Sequence, residues 1–421
     1  MSYKVIIIGA GASGLMAARM LAEKNHSVMV VEARNRIGGR IHTLRGGFSQ
    51  PMEAGAEFIH GRQPLTLSLI KESKNKATLV SGNWYQLWDG QLQNRDFFGA
   101  GWGQVTKALE KLETDVDMGT FLNRHFGANA YQDLRQRVKG FVEGYDAADL
   151  DRVSAMALRE EWAESDDGHQ FRVQGGYARL MHYLEEKIKG RGGELLLSSP
   201  VKEIYWSEGK VKVVTETNRV LEGEKVIITV PLGVLQKGMI TFNPYLPQAI
   251  TAIEEMGFGG VIKFFFEFKQ AFWENQPNPR LKNLAFVFSD AEIPTWWSQL
   301  PEKTPVLTGW LGGPSTYQFH DVQELLYDKA VRSLAYLLNC SATDIQEGIR
   351  EWHIENWVTD PHTFGAYAYP TTGTRNARDF LRIPVKDTVY FAGEAMYQGA
   401  AIGTVEAALV SGREVAEKIM G

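Results

Sequence analysis

The amino-acid sequence predicts an α/β protein into which a block of α+β character is inserted. The first observation is an opening βαβ unit: residues 4–8 and 27–31 are apolar runs rich in β-branched side chains, and residues 15–24 are good helix formers. Apolar runs without polar alternation are typical of parallel strands buried on both faces. The second observation is that strand patterns return at residues 194–230, and a last strand and helix follow at 388–421. We therefore expect a mixed sheet built from separated segments, with most helices in the inserted block.

A glycine-rich turn joins the first strand to the first helix. Residues 9–14 read Gly-Ala-Gly-Ala-Ser-Gly, the G-x-G-x-x-G pattern. Gly9 permits the tight turn, Gly11 lets the backbone approach a pyrophosphate, and Gly14 lets the helix pack close to the strand. The helix N-terminus offers N–H groups to phosphates, and Glu32 ends the second strand, where a carboxylate accepts ribose hydroxyls. We predict a Rossmann-like domain that binds a dinucleotide; the alternative is a similar turn without a ligand.

The residues after Glu32 indicate which dinucleotide is bound. Residues 33–40 (ARNRIGGR) contain a glycine pair and three arginines. Gly38 and Gly39 permit a close backbone approach, and Arg40 can neutralise diphosphate charge. The segment resembles the FAD-binding segment of the flavin-containing amine oxidase family, in which an acid is followed by a basic loop ending in Gly-Gly-Arg. The resemblance implies FAD, because a nicotinamide enzyme does not need that extension.

Composition limits the class of protein further. The chain has 421 residues, of which 44% are hydrophobic, enough for two or three domain-sized units. Its net charge of −5 gives no basic surface for nucleic acid. The single cysteine, Cys340, excludes an internal disulfide framework and a multi-cysteine metal site, and no metal site is predicted. Because a buried strand begins at the third residue and no apolar run is long enough to span a membrane, we expect a soluble, cytoplasmic protein; its oligomeric state stays open.

The block of residues 77–186 differs from the opening segment. Residues 84–88 have a strand pattern, and Asp89-Gly90 is typical of a hairpin turn. Because the block has no second dinucleotide fingerprint, we expect a substrate domain, and we assign its aromatic residues to the core. Helical patterns follow at residues 105–113, 134–142, 155–161 and 178–189.

A run of strand patterns then resembles the family's return to its FAD domain. In the family, the residue at the position of Val201 holds the adenine through its backbone N–H and C=O; a β-meander without this role is the alternative. The expected strands are residues 194–197, 201–206, 210–216 and 225–230. The predicted partition is an FAD-binding domain of residues 1–76, 190–240 and 385–421 and a substrate-binding domain of residues 77–189 and 241–384.

Lys263 lies in the sequence GFGGVIKFFFEFKQAFW, residues 257–273. As a strand, the face that runs from Ile262 to Phe268 is wholly apolar, and Lys263 is the first charge on the other face. From periodicity alone, a solvated lysine on an edge strand is the favoured interpretation. Family members, however, carry a glycine-rich turn, a lysine inside an apolar strand and Phe-Trp a few residues later. In them the lysine holds a water against the reactive nitrogen of the flavin, and the resemblance assigns this role to Lys263.

Other matches lie near the flavin in relatives. In residues 47–61, Gly55 and Ala56 are small enough for a ligand to lie against them. His60 matches a histidine of polyamine-oxidising members that lies in the site; the alternative is a hydrogen-bonded core histidine. Trp357 matches a tryptophan that lies against the flavin.

The substrate end of the site also has counterparts in the family. Some relatives attach FAD through a cysteine where this chain has Ala366, so the resemblance implies non-covalent FAD. Tyr367 aligns with the first wall of a two-aromatic cage, which suits an amine because aromatic faces attract cations. Residues 401–406 align with the turn where many members place the second aromatic residue, and this chain has Thr404. The cage is therefore expected to be open on one side.

The C-terminal residues 391–394, Phe-Ala-Gly-Glu, are close to the family's C-terminal flavin signature, in which the acid approaches the ribityl–phosphate portion of FAD. The candidate catalytic residues are Lys263, Tyr367 and His60. The candidate cofactor-binding residues are Gly9, Gly11, Ala12, Ser13, Gly14, Glu32, Ala33, Arg34, Gly39, Arg40, Gly55, Ala56, Glu57, Val201, Trp357, Gly393, Glu394, Thr404 and Val405.

The resemblance implies FAD-dependent oxidation of an amine of polyamine or monoamine type. Hydride passes from the carbon next to nitrogen to the flavin, water hydrolyses the imine, and molecular oxygen reoxidises the flavin to give hydrogen peroxide. One alternative is an L-amino-acid oxidase, which needs an arginine for the substrate carboxylate, or a carbon–carbon desaturase on the same scaffold. Another is a non-catalytic, flavin-bound interaction protein, which would gain nothing from the charge of Lys263.

Overall fold

The structure is a computed structural model that describes residues 2–88, 90–93, 101–164, 169–276, 279–319, 322–399 and 401–421. Its strands are β1 Ser2–Ile8, β2 Val28–Val31, β3 Thr43–Leu44, β4 Met52–Glu53, β5 Phe58–His60, β6 Ala77–Leu79, β7 Asn83–Trp88, β8 Gln91–Gln93, β9 Gln170–Val173, β10 Glu194–Leu196, β11 Val201–Ser207, β12 Lys210–Thr215, β13 Val220–Ile228, β14 Thr241–Asn243, β15 Gly257–Gly259, β16 Val261–Phe268, β17 Leu284–Ser289, β18 Thr295–Ser298, β19 Val306–Gly312, β20 Ile349–Asn356, β21 Tyr367–Tyr369 and β22 Val389–Phe391. Its α-helices are α1 Ala12–Glu23, α2 Pro64–Glu72, α3 Trp102–Glu110, α4 Met118–Phe126, α5 Gln132–Tyr145, α6 Ala155–Glu164, α7 Ala178–Lys189, α8 Leu232–Gln236, α9 Pro247–Glu255, α10 Gln323–Leu337, α11 Ala342–Gly348, α12 Thr374–Leu381 and α13 Val405–Met420.

The opening βαβ unit forms the centre of an eight-stranded sheet. The strand order is β10-β2-β1-β13-β12-β11-β14, and β22 pairs with β13. β1 is parallel to both β2 and β13, and β22 is also parallel to β13. β11, β12 and β13 form an antiparallel meander. The sheet is therefore mixed, which confirms the predicted fold class.

Both faces of the opening strand are covered. Val5 and Ile7 pack with α1, α7 and α13 on one side, and Ile6 and Ile8 pack with the meander, α8 and α9 on the other. All four side chains are at most 3% exposed. Burial of such a side chain contributes about 1.5–3 kcal/mol, which explains why the strand sequence is apolar at successive positions rather than at alternate ones.

A second, seven-stranded sheet has the order β20-β16-β19-β18-β17-β7-β8. β16 lies between β19 and β20, and all eight of its residues are buried. The face from Ile262 to Phe268 packs against α10, as its apolar pattern predicts. The opposite face is covered by residues 44–54, with Phe265 packed against Met52 and Ala54. The interpretation of Lys263 as a solvated residue on an edge strand is therefore wrong.

The inserted helices α3 to α6 share their own apolar core. Sequence periodicity did not predict α4, whose N-cap Asp117 accepts a hydrogen bond from the backbone N–H of Thr120 at 2.7 Å. β7 and β8 pair antiparallel with Trp88 opposite Gln91, as a hairpin requires, although Asp89 lies outside the described residues. None of the described helices is long and apolar enough to cross a membrane.

The two sheets draw their strands from different segments of the chain. Each strand of the seven-stranded sheet comes from residues 77–189 or 241–384. β14 joins the eight-stranded sheet although it begins just after residue 240, and α7 packs on α1 although it ends just before residue 190. The exact domain boundaries stay a prediction.

Candidate functional site

A cavity of about 1970 Å³ lies between the two sheets and the inserted helices. Pockets for one small ligand have volumes of roughly 300–1,000 Å³, so this cavity has room for a dinucleotide and a substrate together. It brings together residues from both ends of the chain and from the middle. Apart from Gly14, each of the candidate site residues predicted from the sequence lies on its wall.

The glycine turn at the start of α1 has the shape that a diphosphate requires. A Cβ added at Gly11 would meet no atom within 4 Å, so the backbone is open to the cavity there. A Cβ at Gly14 would lie 2.0 Å from the carbonyl oxygen of Gly9, so only glycine fits at this position of α1. The hydroxyl of Ser13 is buried without a hydrogen-bond partner among the described residues. These features fit a phosphate group at the helix N-terminus.

Glu32 is fixed by backbone donors at the end of β2. Its Oε2 accepts a hydrogen bond from the N–H of Ala10 at 2.7 Å, and its Oε1 accepts one from the N–H of Arg34 at 2.9 Å. An ionised carboxylate has about four acceptor positions. The two that remain fit ribose hydroxyl groups, as the sequence predicts.

The basic loop is tied to distant parts of the chain. Arg34 forms an ion pair with Asp360 at 2.6 Å. Arg40 forms one with Glu394 at 2.7 Å and also donates to the carbonyl oxygen of Ala366 at 2.5 Å. The sequence predicts Arg40 at the diphosphate and Glu394 at the ribityl–phosphate portion of FAD, and the structure shows that their side chains contact each other on the cavity wall.

Backbone atoms make up the wall beside this loop. A Cβ at Gly55 would lie 1.7 Å from the carbonyl oxygen of Arg40, so only glycine fits there. The indole N–H of Trp357 donates to the carbonyl oxygen of Ala54 at 2.9 Å, which fixes its ring. Val201 begins β11, is buried and also lies on the cavity wall.

Lys263 is held by three acceptors inside the protein. Its side chain is 1% exposed. Its Nζ donates to the carbonyl oxygens of Glu53 at 2.6 Å and Gly55 at 3.2 Å, and to Oε2 of Glu57 at 2.8 Å. Because an ammonium group has three protons, each of them has a protein acceptor, and the bond to Gly55 is the longest.

Glu57 is the anion that offsets this buried charge. Its Oε1 accepts hydrogen bonds from Nε of Arg172 and from the indole N–H of Trp297, both at 3.0 Å. Burial raises the pKa of a carboxyl group, but the charges of Lys263 and Arg172 outweigh this effect, so the pKa of Glu57 lies below its ordinary value. The carboxylate therefore connects the predicted catalytic lysine to β9 and β18.

Tyr367 and His60, the other predicted catalytic residues, face the same cavity. The ring of Tyr367 stacks on Trp310, with centroids 6.5 Å apart and planes inclined by 23°. The ring of His60 packs edge-on against Tyr145 at 5.8 Å, and its Nδ1 has no hydrogen-bond partner among the described residues. Burial lowers the pKa of His60 to about 4, so the imidazole is neutral at pH 7.

Comparison with known proteins identifies the family to which the chain belongs. A family described as flavin containing amine oxidoreductase matches residues 12–420. The chain belongs to this family. Probable polyamine oxidase 4 of Arabidopsis thaliana is 30% identical over 95% of this chain and 84% of that protein, and polyamine oxidase 2 of the same plant is 27% identical over 99% and 88%. FAD-dependent amine oxidation, which the sequence predicts, is therefore confirmed.

The fold of this amine oxidoreductase also has solved counterparts. A structure of putrescine oxidase with putrescine bound matches it with a TM-score of 0.82 at 19% identity, covering 100% of this chain and 99% of that one. The match establishes the similarity of fold over the whole length.

In this amine oxidoreductase, Thr404 is a helix cap as well as a wall residue. Its Oγ1 accepts a hydrogen bond from the N–H of Ala407 at 3.2 Å and donates to the carbonyl oxygen of Ala401 at 2.7 Å. Thr404 is thus the N-cap residue of α13. The hydroxyl is used within the turn, and the expected opening of the aromatic cage on this side stays a prediction.

Several wall residues of the oxidoreductase were not predicted from the sequence. None of the aromatic residues of the insert was assigned to the site, but four of them line the cavity, and two acids on the same wall, Asp146 and Glu161, were overlooked. The signal for Asp146 was present, since the buried stripe of α5 recurs every four residues and ends on this acid. The four aromatic residues of the insert on the wall are Trp84, Phe141, Tyr145 and Trp162.

Proposed function

We propose that the protein oxidises a small amine and passes the electrons to molecular oxygen, with release of hydrogen peroxide. The observation that carries the proposal is a single cavity lined by the glycine turn at Gly11, by Lys263 and by the stacked pair Tyr367 and Trp310. The names of the relatives, polyamine oxidase and putrescine oxidase, favour a substrate of the polyamine type over a monoamine. The cytoplasmic location stays a prediction.

The part of the cavity that is lined by the N-terminal βαβ unit would hold FAD. The turn at Gly11 and Ser13 would bind its diphosphate, and Glu32 would bind its ribose. When bound, FAD supplies the redox chemistry by accepting a hydride from the carbon next to nitrogen. Ala366 has no nucleophilic atom, so we expect the cofactor to be released by acid precipitation.

The chain itself orients the amine and a water molecule. Tyr367 and Trp310 present aromatic faces that attract an amine, and neutral His60 lies on the same wall. Lys263 can donate a hydrogen bond to a water only if the water replaces one of the three acceptors that Nζ has in the protein. The bond to Gly55, at 3.2 Å, is the longest and therefore the one that a water would replace at least cost.

Oxidation of an amino acid is less well supported. A substrate carboxylate needs an arginine that can form two parallel bonds. Four arginines line the cavity within the described residues, and two of them, Arg34 and Arg40, already pair with a carboxylate. Asp146 and Glu161 add two acidic side chains, and no cation, to the same wall.

The test is anaerobic bleaching of the flavin by a panel of amines and amino acids, followed by measurement of peroxide when air is admitted. We expect polyamines to bleach it and amino acids to leave it oxidised. A cofactor that no amine reduces would overturn the proposal, and bleaching by amino acids alone would favour the alternative.

The role of Lys263 is tested with Lys263→Met, which keeps the apolar stem and removes the charge. We expect the variant to retain FAD while flavin reduction or reoxidation becomes slower in stopped-flow measurements. Lys269→Met is the matched control, because Lys269 is exposed at the end of the same strand region. Unchanged rates in Lys263→Met would remove the assigned role.

A further inference from the structure

Arg172 reaches the ion pair of Lys263 and Glu57 from behind the cavity wall. It lies on β9, opposite Phe58 in the antiparallel register with β5, and its guanidinium carbon lies 4.7 Å from the centre of the Phe58 ring. Glu57 directly precedes β5, so the two strands bring Arg172 and the carboxylate together. Glu57 and Lys263 line the cavity, whereas Arg172 does not. Arg172 therefore contacts the wall through Glu57.

The guanidinium group of Arg172 is fixed by acceptors other than Glu57. Its Nη2 donates to the carbonyl oxygen of Ser298 at 2.9 Å, and its Nη1 donates to that of Leu300. Its Nε donates to Oε1 of Glu57 at 3.0 Å, and its Nη2 lies 2.9 Å from the same oxygen. Because the donors of arginine form a rigid planar fork, the two backbone carbonyls determine where the group meets the carboxylate.

The two oxygens of Glu57 have different partners. Oε1 accepts hydrogen bonds from Arg172 and from the indole N–H of Trp297, both at 3.0 Å. Oε2 accepts a hydrogen bond from Nζ of Lys263 at 2.8 Å. Bonds of this kind between charged groups are stronger than those between neutral groups. As long as Arg172 and Trp297 bind Oε1, Glu57 offers a single oxygen to Lys263.

This division affects the direction of the ammonium group of Lys263. Its other two acceptors are the carbonyl oxygens of Glu53 at 2.6 Å and Gly55 at 3.2 Å. Gly55 lies on the cavity wall, and the bond to it is the longest of the three. If both oxygens of Glu57 were available, the carboxylate would attract Nζ more strongly and would draw it away from Gly55.

We propose that Arg172 is a positioning residue that acts on Lys263 through Glu57 and keeps the ammonium group directed at Gly55 and the cavity. The inference rests on the role proposed above for Lys263 in flavin reduction or reoxidation. It adds a residue of β9 that does not itself line the cavity, and it makes the strength of the bond between Glu57 and Lys263 depend on a second cation.

The test is a double-mutant cycle that combines Arg172→Gln with Lys263→Met. Stopped-flow measurements follow anaerobic reduction of the flavin by putrescine and, separately, reoxidation of the dithionite-reduced protein by oxygen, which needs no amine. In the half-reaction that Lys263→Met slows, we expect Arg172→Gln to lower the rate about ten-fold, within the coupling that residues of one ion-pair network show. In the Lys263→Met background, Arg172→Gln should leave the rate unchanged, because the group through which Arg172 acts is missing.

A steady-state measurement separates positioning from a loss of substrate binding. Because Arg172 does not line the cavity, we expect Arg172→Gln to lower kcat for putrescine while KM stays at its wild-type value. Flavin content, measured from the absorption spectrum, should also be retained. A rise in KM without a fall in kcat would overturn the assignment, because it would place the effect on the substrate rather than on Lys263.

Trp297→Phe tests the same path without removing a charge. It deletes the other donor to Oε1 of Glu57 and retains an aromatic ring. We expect a smaller slowing of the same half-reaction, again absent in the Lys263→Met background. This variant answers the question even if Arg172→Gln does not yield folded protein.

Arg159→Gln is the matched control. Arg159 is also a partly buried arginine that binds backbone carbonyls, with Nη1 at 3.0 Å from the oxygen of Leu112 and 3.4 Å from that of Leu109. It lies on α6 and does not line the cavity. The control should leave both half-reactions at their wild-type rates.

The outcomes separate this inference from the proposed function. If Arg172→Gln slows the half-reaction equally with and without Lys263, Arg172 does not act through the lysine, and the inference is wrong while amine oxidation stands. Wild-type rates in Arg172→Gln, or in Lys263→Met itself, would also overturn it. If no amine reduces the flavin, amine oxidation is wrong, and reoxidation of the chemically reduced protein still tests Arg172.

Discussion

Nζ of Lys263 lies 2.8 Å from Oε2 of Glu57, and the two side chains are 1% and 4% exposed. An ion pair so far from solvent loses most of the hydration of both charges, so each charge depends on the other and on added hydrogen bonds. Here Arg172 and Trp297 supply those bonds to the second oxygen of Glu57. The pair therefore couples the predicted chemistry of Lys263 to the stability of the protein.

Replacement of Glu57 by glutamine should destabilise the fold. We expect a loss of about 3–5 kcal/mol in the free energy of unfolding at pH 7, because the buried charges of Lys263 and Arg172 lose their shared partner. The pKa of Glu57 is lowered in the folded state, so its stabilisation is present above the pKa of the unfolded chain and is lost as pH falls through the folded pKa. The difference between wild type and Glu57→Gln, measured by urea unfolding, should therefore shrink below about pH 4.5. A constant difference from pH 7 to pH 4 would contradict the ion-pair account.

Two glycines of the N-terminal turn should respond differently to the same substitution. Gly11→Ala adds a methyl group that meets no protein atom, so the apoprotein should melt at the wild-type temperature while FAD affinity falls. Gly14→Ala places the methyl group against the backbone of Gly9, so the fold itself should be destabilised. Thermal unfolding of the apoproteins and flavin titration measure both effects. Normal FAD binding by Gly11→Ala would show that the diphosphate lies elsewhere.

Thr404 should act on stability rather than on choice of substrate. Thr404→Val keeps the shape and removes the cap of α13, which should cost about 1 kcal/mol. Thr404→Ser retains the capping hydroxyl and should behave like wild type. Denaturant unfolding gives the stability, and kcat/KM for two amines gives the selectivity. A change in selectivity without a change in stability would favour a role for Thr404 in the aromatic cage.

His60 should make stability depend on pH in the mildly acidic range. Burial lowers the pKa of His60 in the folded protein to about 4, whereas the pKa of a histidine in the unfolded chain is about 6.5. The unfolded chain therefore binds more protons between these values, and stability falls as pH is lowered from about 6.5 to 4. In His60→Gln this slope should become shallower, as shown by melting temperature against pH. His182→Gln, at an exposed histidine of α7, is the matched control for the substitution itself.

The parts of the site that sequence could predict are those set by local rules. The turn from Gly9 to Gly14 and the carboxylate of Glu32 follow from one βαβ unit, and their geometry depends on residues close in sequence. The environment of Lys263 was different, because a period of two cannot tell whether the second face of a strand is covered. That face is covered by residues 44–54, some two hundred positions earlier.

Tertiary pairing also explains the residues that were missed. Asp146 and Glu161 come to one wall of the cavity only because α5 and α6 are brought together by the fold, and neither acid is distinguished from a solvated helix residue by its neighbours alone. For Thr404, the local rule was available, since a threonine before a helix is a common N-cap. The family resemblance instead predicts a place for Thr404 in the aromatic cage.

The contact of Arg40 with Glu394 spans 354 positions, and β22 pairs with residues 226–228 of β13. The binding cleft is thus closed by the two ends of the polypeptide, and contacts so distant along the chain stabilise the fold only after the entropy of closing the loop between them has been lost. Until β22 is in place, part of β13 presents an unpaired edge, which invites association with other strands. Truncation before residue 389 should consequently yield insoluble aggregates, instead of a smaller flavoprotein with weakened cofactor binding.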